Sequence, residues 1–420
     1  MNDKPTIDPL FSRERLAGYD PDLLRKSAIT IIGSGAAGNN AALNLALAGL
    51  GSLRFIDPDV VEPSNLTRSP LFDRRRLEGG RRRFKARELA LGALAFSYAE
   101  EPVMRYAVAK IEELGLGALL GSSAAIAAVD SLPVRAYLAD ATRLLGIPLV
   151  EVGFSGHRGQ ISVFPNRSEA EPCWRCLHPE VEHGGVSCTL YARGVVSEGR
   201  VPATQPLAAL FGSLAAEHAV QAAHGLFPLG GQAFFLDSWT GRSGKVGITR
   251  DPACPGAHRS LPMPRVLSVR SLDLVGRLLE ETGRTLRDPI IYLPSPYVAS
   301  APCATCGASV PIGKPAWSIP RRPECRKCPE LPRLDLGGPV VVTRLEIGSE
   351  LAGRRLSEVG FAPGALIEVG SLSSGNSLVF QLAGSLDDLF TTLRRKPRNG
   401  QGAAGMDKKT ATTAVTNHKE

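Results

Sequence analysis

The chain has 420 residues, 43% of them hydrophobic and 21% charged, with a formal net charge of +8. With a mean hydropathy of −0.01, that balance excludes a disordered or membrane-spanning chain and leaves room for one large domain plus one or two smaller modules. The positive excess is local, in Arg74–Arg76, Arg81–Arg83 and the tail residues Arg394, Arg395, Lys396, Arg398, Lys408 and Lys409. With no aromatic residues interleaved for base stacking, Phe84 apart, these read as a solvated face and a disordered tail, not a nucleic-acid surface.

The opening MNDKPTIDPLFSRERL has no apolar signal-peptide core, and the apolar run Ala41 to Leu50 is interrupted by Asn44 and too short for a bilayer, so the chain is expected in the cytoplasm. Ser27 to Ile32 is β-branched and reads as a buried parallel strand. It runs into Gly33, Gly35 and Gly38, a G-x-G-x-x-G turn, and then NNAALNLALAGLG, a helix ending near Gly49 and Gly51. A second strand, Ser52 to Ile56, closes on Asp57 and completes a βαβ unit of the nucleotide-binding kind. Further strands are predicted at Ala124 to Val129, Pro148 to Val152 and Gln160 to Phe164, with a helix over Pro133 to Leu145. The long helix Gln205 to His224 carries Leu207, Leu210, Phe211, Leu214, Ala215 and Val220 on the face expected to cover the sheet. After Pro252 the chain is richer in Pro and Gly, and Val340 to Leu382 alternates as a small β-rich module.

Eight cysteines fall as Cys173-x2-Cys176, Cys188, Cys254, Cys303-x2-Cys306 and Cys325-x2-Cys328. Cys303, Cys306, Cys325 and Cys328 have the spacing of a zinc ribbon, in a segment too rich in Pro and Gly to bury a core without metal. In GGVSCTLYARG, Ser187 can cap a helix beginning at Cys188, where unpaired N–H groups would favour the thiolate; the plain reading is a small buried residue.

The glycine turn alone fits dehydrogenases, flavoproteins and methyltransferases as well. More specific are IDPDVVEPSNLTRSPLF at Asp57, FKARELA around Lys85, AAVDSLPVRAYLADA around Asp130 and LVEVGFSGHRGQISVFPN before CWRCLHPE, with FSRERLAGYD ahead of the first strand. Over about residues 10 to 259 the chain resembles the adenylation domain shared by ubiquitin-activating enzymes and the sulfur-carrier adenylyltransferases of thiamine and molybdopterin synthesis. The resemblance implies that Asp57 holds the ribose of ATP, Asn65 and Arg68 reach the phosphates, Lys85 steadies the β- and γ-phosphates and Asp130 holds magnesium. It also implies that Arg13 crosses a homodimer interface, that Cys173 and Cys176 form half of a zinc site, and that Cys188 takes the carrier as a thioester. The second half of that zinc site departs from the pattern: Cys254 is present, Ala257 replaces the other thiolate and His258 follows, leaving a Cys3His set or a degenerate site. Taken singly, Asp57 could end a strand, Arg68 and Lys85 could be surface charges, and Asp130 could cap a helix.

The fold expected is therefore α/β, a doubly wound Rossmann-like and mostly parallel sheet with a C-terminal zinc ribbon and a small β-rich module. Its divisions are 1–259 for adenylation, 260–300 as connector, 301–335 for the ribbon, 336–392 for the β module and 393–420 as a disordered basic tail. The expected activity is ATP-dependent activation of the C-terminal carboxylate of a ubiquitin-like protein ending in glycine, with transfer to Cys188 and then to a conjugating enzyme. The alternative is a sulfur-carrier adenylyltransferase. A dinucleotide oxidoreductase leaves Arg68, Lys85 and the zinc knuckle without purpose, and a non-catalytic zinc-ribbon scaffold predicts no ATP–pyrophosphate exchange.

Overall fold

The computed structural model describes residues 9–76, 82–181, 202–319, 325, 327–328, 334–335 and 338–395. A short arm, α1 (Ser12–Leu16) and α2 (Pro21–Lys26), precedes the first strand. α2 starts where Asp20 accepts the Asp22 N–H and Pro21 takes the first helical position, at which its missing N–H costs nothing. β1 (Ala28–Ile32), α3 (Ala36–Leu47) and β2 (Ser52–Ile56) form the βαβ unit within a residue or two of expectation. Alternation continues through α4 (Lys85–Phe96), β3 (Val103–Ala107), α5 (Ile111–Leu114), β4 (Ala124–Ala127), α6 (Leu132–Leu144) and β5 (Leu149–Ser155). β6 (Arg158–Phe164), α7 (Gln205–Ala223), β7 (Gln232–Asp237) and β8 (Arg242–Gly247) complete this part.

The central strands lie in the order β3-β2-β1-β4-β5, all parallel, with the switch point between β1 and β4. β6, β7 and β8 extend the sheet antiparallel, so its parallel character is confined to the centre. Alternate residues feed two cores. Ile29, Ile31, Phe55 and Ile126 pack with Leu45, Leu89 and Phe211 on one face, while Ile32, Ala125 and Leu149 pack with Leu138 and Trp174 on the other. On α7, Leu207, Phe211, Ala215 and Val220 are buried as expected, whereas Leu210 is 41% exposed.

A second sheet has six strands: β9 (Arg265–Arg270), β10 (Pro289–Pro302), β11 (Ser309–Pro315), β12 (Val340–Leu345), β13 (Leu366–Ser371) and β14 (Ser377–Ala383). With α8 (Val275–Gly283) it encloses its own core of Val269, Leu278, Ile291, Tyr297, Leu345 and Phe380. The stretch 260–300, expected to connect, thus supplies β9, α8 and most of β10, and it shares one sheet with the ribbon and β-module stretches. β10 does not read as a strand in the sequence because it contains four prolines among its apolar residues. Finally α9 (Leu386–Leu389) leads to β15 (Thr391–Arg394), which returns to the first sheet and pairs antiparallel with β3. Arg395 donates to the carbonyls of Leu94 and Ser97, each at 2.7 Å, at the C-terminal end of α4. Residues 393 and 394 therefore belong to a sheet edge and Arg395 follows it; the rest of the expected tail, 396–420, lies outside the described residues. No helix among the described residues is long and apolar enough to cross a membrane.

Candidate functional site

The carboxyl ends of β1, β2 and β4 bring Gly33, Asp57 and Asp130 to one rim of the sheet, the usual place for a ligand in an open α/β fold. Gly33 sits at φ +92° and donates to Ile56 O at 3.0 Å; a Cβ there would lie 2.3 Å from Ala128 O. Gly35 is the N-cap of α3 and Gly38 lies in its first turn, so the free N–H groups of the helix open at this rim. Gly33→Ala is expected to cost about 2 kcal/mol or more of stability, read as a lower urea midpoint, because both the dihedral and the space forbid a methyl.

Asp57 is buried, and its carboxylate accepts from Ser34 N–H at 2.7 Å and Asp59 N–H at 2.8 Å. Burial pushes this carboxyl above the usual range, and the Lys85 ammonium and the two backbone donors oppose the rise. One carboxylate oxygen holds the glycine turn and the other the loop after β2, which leaves further lone pairs able to accept from a ligand hydroxyl. Lys85 is the first residue of α4, and its Nζ lies 2.9 Å from Asp59 Oδ2. Its backbone N–H also donates to Asp59 O at 2.8 Å, so the loop after β2 and the start of α4 are tied together. Asn65 Oδ1 accepts from Glu62 N–H at 2.9 Å, and Arg68 Nη1 donates to Ser64 O at 2.7 Å. Asp130 is exposed beyond β4; the N-cap of α6 is Ser131, so Asp130 does not cap that helix.

Arg13 is exposed on α1 and is not brought to this rim. Its neighbour Phe11 packs against Gly49, beyond the far end of α3, roughly 18 Å from the glycine turn for a helix of 12 residues. Cys188 lies outside the described residues.

The structure gathers both metal-binding sets, each with its four ligand atoms within 4.8 Å of one another. In the first, Cys173 Sγ is 3.9 Å from Cys176 Sγ and 3.7 Å from Cys254 Sγ, and His258 Nε2 is 3.3 and 3.4 Å from Cys173 and Cys176. A tetrahedral zinc with ligands at about 2.0–2.3 Å holds them roughly 3.3–3.8 Å apart, so this donor set fits zinc. Burial and the sulfurs of Cys176 and Cys254 push the Cys173 thiol up, a repulsion that a divalent cation would offset. Burial, with Arg250 and Arg143 nearby, pushes His258 down and favours the neutral imidazole that binds metal. Ala257 is no missing ligand: its N–H donates to Asp140 Oδ1 at 2.7 Å, which turns the chain so that His258 comes next to the sulfurs. Asp140 also holds Arg175 at 3.0 Å, tying this loop to α6. In the second set Cys303 and Cys328 are 3.8 Å apart and Cys303 and Cys325 are buried, again a spacing that fits zinc.

Two groups near the rim have no role assigned by the sequence motifs. Arg135 donates to Val129 O at 3.0 and 2.7 Å, just before Asp130, and pairs with the fully buried Glu151. The signal available was a lone carboxylate inside the apolar strand LVEVG. Asn39 and Asn40, both buried, connect α3 to the segment carrying Arg68. The adjacent pair of amides in a helix otherwise apolar but for Asn44 is the sign.

The ThiF family model matches residues 15–256, more than half of the chain. A sulfur carrier protein adenylyltransferase of Thermus thermophilus is 30% identical over 239 residues, 55% of this chain and 82% of that one. The SAMP-activating enzyme E1 of Haloferax volcanii is 31% identical over 182 residues, 43% of this chain and 63% of that one. Among solved structures, E. coli MccB shares the fold, with a TM-score of 0.51 at 16% identity over 61% of this chain and 76% of that one.

Proposed function

We propose, from the premise that this chain belongs to the ThiF family of adenylyltransferases, that it uses ATP to adenylate the C-terminal carboxylate of a small sulfur-carrier or ubiquitin-like protein. The observation that carries this reading is the cluster of the glycine turn, Asp57 and Lys85 on one rim of the sheet, inside the stretch that matches the family. The carrier carboxylate attacks the α-phosphorus, the bond to the bridging oxygen breaks, and pyrophosphate leaves with the electron pair. Two anions meet in that step, so Arg68 and Lys85 have to neutralise phosphate charge, with Asn65 as a neutral donor. Asp57 would accept from the ribose. Asp130 would hold magnesium, which supplies further neutralisation of the phosphates. Arg13 would enter the site of a second copy in a homodimer.

Of the two fates for the adenylate, the sulfur-carrier reading is preferred, since the Thermus thermophilus relative carries that name over most of its length. The thioester relay through Cys188, and with it delivery to a conjugating enzyme, is supported by the SAMP-activating relative and by the sequence around Cys188. Carrier-dependent ATP–pyrophosphate exchange tests the shared step; no exchange with any carrier ending in glycine would overturn it. Cys188→Ala tests the branch. Exchange is expected to persist in the variant, because adenylate formation does not use the sulfur. Under the sulfur-carrier reading the wild type forms no thiol-sensitive carrier adduct on non-reducing gels. An adduct that is present in the wild type and lost in Cys188→Ala would replace that reading with conjugation.

A further inference from the structure

Asn39 and Asn40 are 0% and 4% exposed, in a helix whose other buried residues are small or apolar. A buried amide lowers stability unless its hydrogen bonds are made. Each side chain makes one of its hydrogen bonds to the segment 68–71. Asn39 Oδ1 accepts from the Leu71 N–H at 2.8 Å. Asn40 Nδ2 donates to Ala36 O at 2.8 Å and to Arg68 O at 3.3 Å, while Asn40 Oδ1 accepts from Gln205 Nε2 at 3.1 Å. An N–H can only donate and a carbonyl can only accept, so the chemistry of the partners fixes both amide orientations.

Arg68 itself makes local bonds, from its N–H to Asn65 O at 3.1 Å and from its guanidinium to Ser64 O. Such bonds shape the loop but cannot set its distance from the glycine turn. We propose that Asn39 and Asn40 are positioning residues that fasten the Arg68 segment to α3, so that the guanidinium and the N–H groups at the helix start hold one fixed spacing. Gln205, the first residue of α7, locks the Asn40 amide and makes that spacing answer to the start of α7. The use made of Arg68 rests on the adenylation reading; the clamp does not.

The test uses the full chain with Asn39→Ala, Asn40→Ala, Arg68→Ala and the double variant Arg68→Ala with Asn40→Ala. Asn40→Ala is expected to lower kcat/KM for ATP in pyrophosphate exchange about tenfold at temperatures well below its thermal midpoint, since small misplacements of a catalytic group cost at least that in rate. The midpoint itself falls, because three hydrogen bonds of a buried amide are lost. In the Arg68→Ala background the same change is expected to cost almost nothing more, because both act through one guanidinium. A merely structural asparagine would lower both backgrounds by the same factor, and that result would overturn the proposal. Amide hydrogen exchange at Leu71 is expected to quicken in Asn39→Ala; exchange as slow as in wild type would also overturn it. If the wild type shows no pyrophosphate exchange, the adenylation reading falls while the Leu71 measurement still decides the clamp.

Discussion

Lys85→Ala and Arg68→Ala are each expected to cut carrier-dependent ATP–pyrophosphate exchange by about a hundredfold or more while leaving the thermal midpoint almost unchanged. The two effects separate because of where these cations sit. Lys85 is 16% exposed and its partner Asp59 is 64% exposed, and an ion pair that open to water contributes at most about 1 kcal/mol to stability. The Arg68 guanidinium is half-buried and donates to Ser64 O, a bond that water can replace. Neither side chain is needed to hold the sheet together. Phosphate charge in the reaction is another matter, since a fixed cation beside a developing anion stabilises it far more than water does. Lys85 also opposes the rise in the Asp57 carboxyl, so its loss should weaken the neighbouring carboxylate's charge as well. Exchange rates within a few fold of wild type in both variants would remove the nucleotide site from these residues.

Removing metal is expected to have the larger structural effect. Two zinc ions per chain are expected by elemental analysis, one at Cys173, Cys176, Cys254 and His258, the other at Cys303, Cys306, Cys325 and Cys328. Among the described residues the second set has a small core: the buried members are Ala301, Cys303, Cys325 and Leu334, two of them ligands. Zinc binding in such small folds is folding free energy, on the order of 10 kcal/mol. Cys303→Ser, or a strong chelator, should therefore open the segment around residues 303–335 to proteases while β13 and β14, which bury Val369 and Phe380 in the core of the second sheet, stay protected. Cys173→Ser should act differently. It frees the 254–258 loop from α6 through Arg175 and Asp140, and a lower midpoint for the whole first sheet is expected. A protein with one zinc per chain that loses it on changing Cys303 would show the Cys3His set to be without metal.

The sequence was a good guide wherever chemistry is local. β-branched runs, the glycine spacing and the caps identified the βαβ unit to within a residue or two, because strand burial and helix ends depend on near neighbours. The C-x-x-C pairs likewise named the metal donors, since each pair is local and the donor type is set by the side chain. Long-range pairing was hidden. Nothing in Thr391–Arg394 states that it will lie on β3, because the edge strand's partners are backbone groups common to every residue. β10 is masked by its prolines, which break the alternation that marks a strand without preventing an irregular one. Asn39 and Asn40 read as ordinary members of a helix until the fold laid residues 68–71 over them. The sequence by itself determined which side chains carry cationic charge and metal-donor atoms; only the tertiary structure decided which backbone holds them, because side-chain identity fixes chemistry while hydrogen-bond partners distant in the chain fix position.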